Sequence, residues 1–259
     1  MTASPEANFR LDGRKVLVTG ASSGLGRHFA LTLAQAGATI VIAARRSDKL
    51  DHLLGELAEF GASAHAVSLD VVDGQSIINA FDEIDTRVGG IDVLVNNAGV
   101  TVTKPILQQT EDDWDSVIDT NLKGSFRVAQ EAARRMVAAG RGGSLINVAS
   151  ILGERVAGGV APYAISKAGV IQATRALALE LARYDIRANA ILPGYVVTDL
   201  NRDFLASEAG EKLRARIPTR RFGQLSDLDG PLLLLASNAG RHMTGATLAV
   251  DGGHLVNSL

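Results

Sequence analysis

The sequence contains no cysteine, which removes disulfides, thiolate nucleophiles and thiolate-bound metal from consideration. That absence permits a reducing compartment, and the cytoplasm is the expected location. There is also no concentration of one charge. Lys and Arg number 26 against 28 Asp and Glu, the formal net charge is -2, and the basic residues are dispersed. No electrostatic footprint for nucleic acid or an anionic membrane follows. Long apolar runs are missing too: Leu232 to Ala236 and Val93 to Val95 fall far short of the roughly 20 residues that cross a bilayer. Met1 to Arg10 is polar, contains Pro5 and Glu6, and lacks the apolar core of a secretory signal. The five histidines, His28, His52, His65, His242 and His254, show no ligand-like clustering with carboxylates, so no metal is expected. No Pro/Gly/Ser linker or internal repeat divides the chain. A soluble protein is expected, with a flexible N-terminal arm over residues 1–12 and one domain over 13–259.

What is present is a 46% apolar chain, enough to bury a sizeable core, in which short β-branched runs alternate with helical patterns. The runs predict strands at Lys15–Thr19, Thr39–Ala43, His65–Leu69, Val93–Asn96, Ser144–Val148, Arg187–Ile191 and Thr247–Val250. Spacings of i, i+3 and i+4 predict helices at Gly24–Ala36, Asp48–Phe60, Gln75–Arg87, Glu111–Ala139, Tyr163–Arg183 and Asp227–Ala236. Thr110 before Glu111-Asp112-Asp113 suits a helix N-cap. Alternation of this kind is the signature of βαβ units. The expected fold is α/β: a single-domain, doubly wound, seven-stranded parallel sheet, Rossmann-like, with helices on both faces. The Arg-rich segment of about 195–222, closing with Pro218, breaks the rhythm and reads as a lid over the carboxyl edge of the sheet.

Directly after the first strand comes Thr19-Gly20-Ala21-Ser22-Ser23-Gly24-Leu25-Gly26, opening a helix. Glycines here let the backbone turn and approach a pyrophosphate, while a helix N-terminus offers free N–H groups and partial positive charge. The spacing Gly-x-x-x-Gly-x-Gly departs from the Gly-x-Gly-x-x-Gly fingerprint, and the alternative is a tight connection with no ligand. The second strand ends in Ala43-Ala44-Arg45-Arg46, where an NAD-binding protein would place an acid against the ribose 2′-OH. An Arg fork there binds a 2′-phosphate, so NADP(H) is expected over NAD(H). The alternative for Arg45 and Arg46 is a solvated helix start. Asp70 and Val71 after the third strand, and Asn96-Asn97-Ala98-Gly99 after the fourth, also fall on the ligand-binding edge. Asn97, Ala98 and Gly99 are candidates for the cofactor, with ordinary turn chemistry as the other reading.

Ser150 follows the fifth strand, and Tyr163 and Lys167 lie in Ala161-Pro162-Tyr163-Ala164-Ile165-Ser166-Lys167. Four residues apart on a helix, they share one face. An ammonium beside the phenol, together with an oxidised nicotinamide, lowers its pKa from roughly 10 and suits it to acid/base work. Tyr-x-x-x-Lys alone is weak evidence. Taken with Thr-Gly-x-x-x-Gly-x-Gly, Asn-Asn-Ala-Gly, a Ser thirteen residues before the Tyr, Pro193-Gly194 and Asp251-Gly252-Gly253, the chain resembles the short-chain dehydrogenase/reductase family, and within it the 3-oxoacyl-carrier-protein-reductase-like branch.

The resemblance implies that Tyr163 is the proton donor or acceptor, that Ser150 bonds the substrate oxygen, and that Lys167 binds the nicotinamide ribose. Asn121, in Thr120-Asn121-Leu122-Lys123-Gly124, would hold a relay water. Pro193, Gly194, Val196 and Thr198 would contact the nicotinamide end. It further implies a homotetramer built through the helices of Glu111–Ala139 and Tyr163–Arg183. The small departures are Ala149 before the catalytic serine and the Glu154-Arg155 pair near the site. The function expected is NADP(H)-dependent interconversion of a secondary alcohol and a ketone, as a carbonyl or β-ketoacyl reductase acting on a small molecule. A sugar or polyol dehydrogenase is the enzymatic alternative, and a non-catalytic dinucleotide sensor is the alternative of another class. Arg202, Arg214 and Arg216 in the lid either meet an anionic substrate or are simply solvated.

Overall fold

The computed structural model describes residues 4–45, 48–199 and 201–257. Strands β1 (Lys15–Thr19), β2 (Thr39–Ala44), β3 (Ala64–Ser68), β4 (Val93–Asn96), β5 (Gly143–Val148), β6 (Ile186–Pro193) and β7 (Thr247–Val250) form one sheet in the order β3-β2-β1-β4-β5-β6-β7, parallel throughout. The connections are α1 (Gly24–Gln35), α2 (Asp48–Glu59), α3 (Gly74–Val88), α4 (Glu111–Ile118), α5 (Ser125–Ala138), α6 (Ala161–Leu181), α7 (Arg202–Leu205), α8 (Glu208–Arg214) and α9 (Asp229–Ala236). The seven expected strands are present, and β1, β4 and β7 keep their expected bounds. Within the span read as an arm, Leu11 is wholly buried and its N–H donates to Ala36 O at 2.9 Å. Among the described residues no helix is long and apolar enough to cross a membrane.

Side chains alternate across each strand, and both faces are covered, so the central strands are largely apolar on both faces, with buried Asn96, Asn147 and Asn189 among the exceptions. In β1, Val16 and Val18 pack with Phe29 and Leu33 of α1, Leu53 of α2 and Leu232 of α9. Leu17, between them, joins Phe81 of α3 and Val128 and Met136 of α5 on the other face. A smaller cluster of Val170, Ile171, Ala190 and Leu192 seats α6 on β6. The cap at Thr110 forms as a reciprocal box with Asp113.

The helix expected over Glu111–Ala139 is interrupted. After α4 the chain widens into a π turn over Asp119–Gly124 before α5 begins. Gly124 sits where a Cβ would lie 2.8 Å from Val71 O and 2.9 Å from Asp119 O. The local sequence Thr120-Asn121 with Gly124 is poor in helix formers, and the turn carries Asn121 into full burial. A π turn in the middle of a helix often marks a functional position.

A buried polar chain crosses the middle of the sheet near its carboxyl end. Asn96 Nδ2 donates to Ser125 O at 2.6 Å and to Asn147 Oδ1 at 3.2 Å, and Asn147 Nδ2 donates to Thr174 Oγ1 at 2.9 Å. It ties β4 to β5 and both to α5 and α6, with every member buried. Asn96→Ala leaves Ser125 O and Asn147 Oδ1 without their donor, each such loss costing about 1–3 kcal/mol. The expected outcome is a urea unfolding midpoint lowered by an equivalent of about 2–6 kcal/mol, with dinucleotide affinity retained where the variant is folded.

Candidate active site

The carboxyl ends of β1 and β4 meet where the strand order reverses, the place at which such sheets bind ligands. There Asn97 and Ala98 donate their N–H groups to Thr19 Oγ1 at 3.0 and 3.1 Å, and Asn97 Nδ2 donates to Thr19 O at 3.0 Å and Gly20 O at 3.3 Å. The Asn97 side chain is therefore committed to the first turn. Gly20 and Gly24 adopt φ of 65° and 54°, which favours glycine. At Gly26 a Cβ would fall 2.3 Å from Gly20 O. The result is a backbone cradle leading into α1, whose N-cap Ser23 makes no side-chain cap bond. Ser22 and Leu25 flank the cradle half-buried, Leu25 against the core. Arg45 stands exposed just beyond β2, and Arg46 lies outside the described residues. Asp70 Oδ1 accepts the Val72 N–H at 3.0 Å, an ordinary Asx turn, with Val71 buried beside it.

Ser150, Tyr163, Lys167 and Asn121 converge at the same edge. Lys167 is buried, and its Nζ donates to Val148 O at 2.7 Å and lies 5.6 Å from the centroid of the Tyr163 ring. A Cβ on Gly99 would lie 3.7 Å from that Nζ and 3.2 Å from Asn121 Oδ1, which puts the Asn-Asn-Ala-Gly turn against the cluster. Asn121 Oδ1 accepts the Val100 N–H at 2.7 Å, and its Nδ2 donates to Val100 O at 2.8 Å and Ser166 Oγ at 3.2 Å. Ser166 Oγ donates in turn to Tyr163 O at 2.7 Å. Ser150 Oγ accepts the Leu152 N–H at 3.1 Å.

Electrostatics here are dominated by burial. Burial pulls the Lys167 ammonium down to about 8. It pushes the Tyr163 phenol above the ordinary tyrosine range, the Ser150 hydroxyl opposing and Tyr195 reinforcing the rise. The expected lowering of Tyr163 by Lys167 is thus not a property of the protein alone. The ammonium sits beside the ring and spends a hydrogen on a carbonyl, while the phenol loses solvent that would stabilise its anion.

Pro193 is buried at the end of β6, and Gly194 is pressed on Asp251, where a Cβ would be 2.7 Å from Asp251 Cβ. Val196 is buried and bridges Gly223. Thr198 donates its N–H to Asn201 Oδ1 at 2.8 Å at the start of α7. Beside them stands a wall that motif reading missed. Tyr195 tilts against His254 with ring centroids 5.7 Å apart, and Arg155 donates to the His254 carbonyl instead of pairing with Glu154. The position of Tyr195 directly after Pro193-Gly194 is the signal that points to it. In the lid segment, Arg202 pairs with Asp199 at 2.7 Å and Arg214 with Glu211 at 2.5 Å, all on the surface, so both charges are answered locally.

The sequence profile of the family described as enoyl-(acyl carrier protein) reductase matches residues 20–254. The chain is similar to the 3-oxoacyl-[acyl-carrier-protein] reductase of Staphylococcus aureus, 39% identical over 241 residues that span 93% of this chain and 97% of that protein. The enzyme of the same name from Thermotoga maritima is 38% identical over 247 residues, 95% of this chain and 100% of that one. Among solved structures, a gluconate 5-dehydrogenase from Burkholderia cenocepacia in complex with NADP and tartrate superposes with a TM-score of 0.94 at 40% identity, covering 98% of this chain and 99% of that chain. With the glycine cradle, the Tyr163–Lys167 helix face and Ser150 joined at one sheet edge, the chain belongs to the short-chain dehydrogenase/reductase family of oxidoreductases.

Proposed function

We propose that this NADP(H)-dependent oxidoreductase reduces a ketone or β-ketoacyl carbonyl to a secondary alcohol, with Tyr163 as the proton donor. The observation that carries the reading is the group of half-buried Tyr163 with buried Lys167 and Ser150 at the edge that also holds the glycine cradle. The cradle fits a dinucleotide: Gly20, Ser22, Ser23, Gly24, Leu25 and Gly26 would receive the pyrophosphate at the uncapped start of α1. Arg45, with Arg46, would hold the 2′-phosphate. Asp70 and Val71 would border the adenine, and Asn97, Ala98 and Gly99 the nicotinamide ribose together with Lys167. Pro193, Gly194, Val196 and Thr198 would border the carboxamide. When bound, NADPH supplies the hydride.

The protein's part is orientation and protons. Ser150 and Tyr163 offer two hydroxyl donors to the oxygen on which negative charge develops as the carbonyl is reduced. Tyr163 passes its proton to that oxygen, and Lys167 replaces it. Because the Asn121 amide is occupied by Val100, Asn121 serves the relay through its main chain, which the π turn offsets from the α-helical ladder. Filled catalytic positions argue against a non-catalytic sensor. Similarity to a gluconate 5-dehydrogenase favours the second reading, a sugar or polyol dehydrogenase.

In this reading residues 13–259 act as one dinucleotide-binding and catalytic unit, and about 195–222, with α7 and α8, forms the substrate lid. Exposed Trp114, Phe126, Ile165 and Leu179 on α4, α5 and α6 support a homotetramer built through those helices. A chain without cysteine suits the reducing cytoplasm.

NADPH and NADH oxidation against ketones, β-ketoesters, diketones and keto-sugars tests the assignment. Tyr163→Phe is expected to lower kcat about 10²–10⁴-fold with NADPH affinity kept; equal turnover by the variant removes Tyr163 from the chemistry, and the best substrate decides between the two enzymatic readings. Arg45→Glu is expected to lower kcat/KM for NADPH about 10–100-fold while sparing NADH, and an unchanged cofactor preference would reject the 2′-phosphate contact. With Lys167 titrating at about 8, its proton is present below that pH and lost above it. The kcat/KM of reduction should therefore hold below about 8 and fall above it, and a profile still flat a unit higher would exclude Lys167 from proton supply.

A further inference from the structure

At the end of the sheet opposite the catalytic cluster, the starts of β4 and β5 and the C-terminal end of α9 border a cavity of about 340 Å³. Four guanidinium groups, those of Arg14, Arg141, Arg187 and Arg241, line it together with the carboxylates of Asp92 and Asp185. Among the described residues, the arginines that form ion pairs lie elsewhere, and none of these four is within ion-pair distance of a carboxylate.

Neutral acceptors hold three of them in place. Arg14 donates to Asn238 Oδ1 at 3.1 Å, Arg141 to Gly89 O at 3.0 Å, and Arg187 to Leu235 O at 2.7 Å and Met243 O at 3.2 Å. Their positions are set, yet their charges are not neutralised. Arg141 Nε is buried without any hydrogen-bond partner. Burial, and next the charge of Arg14, lowers the pKa of Arg187, with Asp185 opposing. Asp92 already receives the Lys15 N–H at 2.8 Å. Two carboxylates against four guanidiniums leave an excess of two positive charges in one polar hollow.

We propose that this cavity is a second ligand site that binds a compact phosphate dianion, free or as a phosphomonoester. A phosphate presents several acceptor oxygens to Arg forks and matches the excess charge, which a single carboxylate does not. The volume lies within the range of small-ligand sites and leaves room for a small organic group on the phosphate. The six residues of β5 place the site roughly 20 Å from the catalytic edge, so its occupant does not compete with the dinucleotide.

The test uses the full-length enzyme saturated with NADP⁺, so that anion-binding groups at the glycine cradle and Arg45 are already filled. Inorganic phosphate is titrated calorimetrically against a chloride control at constant ionic strength, and glycerol phosphate in a parallel arm separates an ester from the free ion by its affinity. Saturable binding is expected, weakened about tenfold or more in the double variant Arg141→Gln/Arg241→Gln, whose NADPH oxidation stays at the wild-type rate. Asp185→Asn, at a left-handed position (φ 58°) that asparagine accepts, removes a negative charge and should tighten phosphate binding. Absence of saturable binding in the saturated enzyme, or an affinity indifferent to both substitutions, overturns the proposal.

Discussion

The seam between β1 and β4 is the constraint on which the rest of this molecule depends. Asn97 draws the Thr19 and Gly20 carbonyls onto its amide while Thr19 takes the N–H groups of Asn97 and Ala98. The first turn and the Asn-Asn-Ala-Gly turn are thereby locked to each other. Gly26 has to pass so close to Gly20 O that no Cβ fits, which pulls the start of α1 over the strand ends and aims its free amides at the crevice. Once that seam is set, Gly99 is brought against Asn121 and Lys167, and the glycine cradle and the Tyr163–Lys167 cluster share one wall.

The second organising feature is a cation deprived of water. Lys167 is buried with Val148 O as its hydrogen-bond acceptor, and its pKa falls to about 8 because burial penalises charge. Tyr163 responds to the same burial in the opposite sense. A phenol that holds its proton, next to an amine that readily exchanges one, is a pair suited to delivering protons to a reduced carbonyl. The Asn121–Val100 bonds and the link from Asn121 through Ser166 to Tyr163 keep this pair in register with the rest of the edge. The rear cavity shows the contrasting arrangement, in which guanidiniums are fixed by neutral carbonyls and keep their charge.

Much of this was legible in the residues. Strand–glycine–helix order announced the cradle, and the four-residue spacing of Tyr163 and Lys167 announced a shared helix face, because both patterns are local. Less legible were features whose causes lie far apart in the chain. The π turn at Asn121 follows from bonds to Val100 and from the closeness of Gly124 to Val71. The wall of Tyr195, His254 and Arg155 joins three distant segments.

By itself the sequence determined the class of fold and the order of its elements, and it named the candidates for the reacting groups. Hydrophobic period, turn chemistry and motif spacing act within a few residues and so can be read along the chain. Tertiary structure alone decided the protonation tendencies of Tyr163 and Lys167, the diversion of Arg155 to the His254 carbonyl and the gathering of Arg14, Arg141, Arg187 and Arg241 around one cavity. Desolvation and charge proximity depend on which residues are brought together from distant parts of the chain, and no local pattern encodes that.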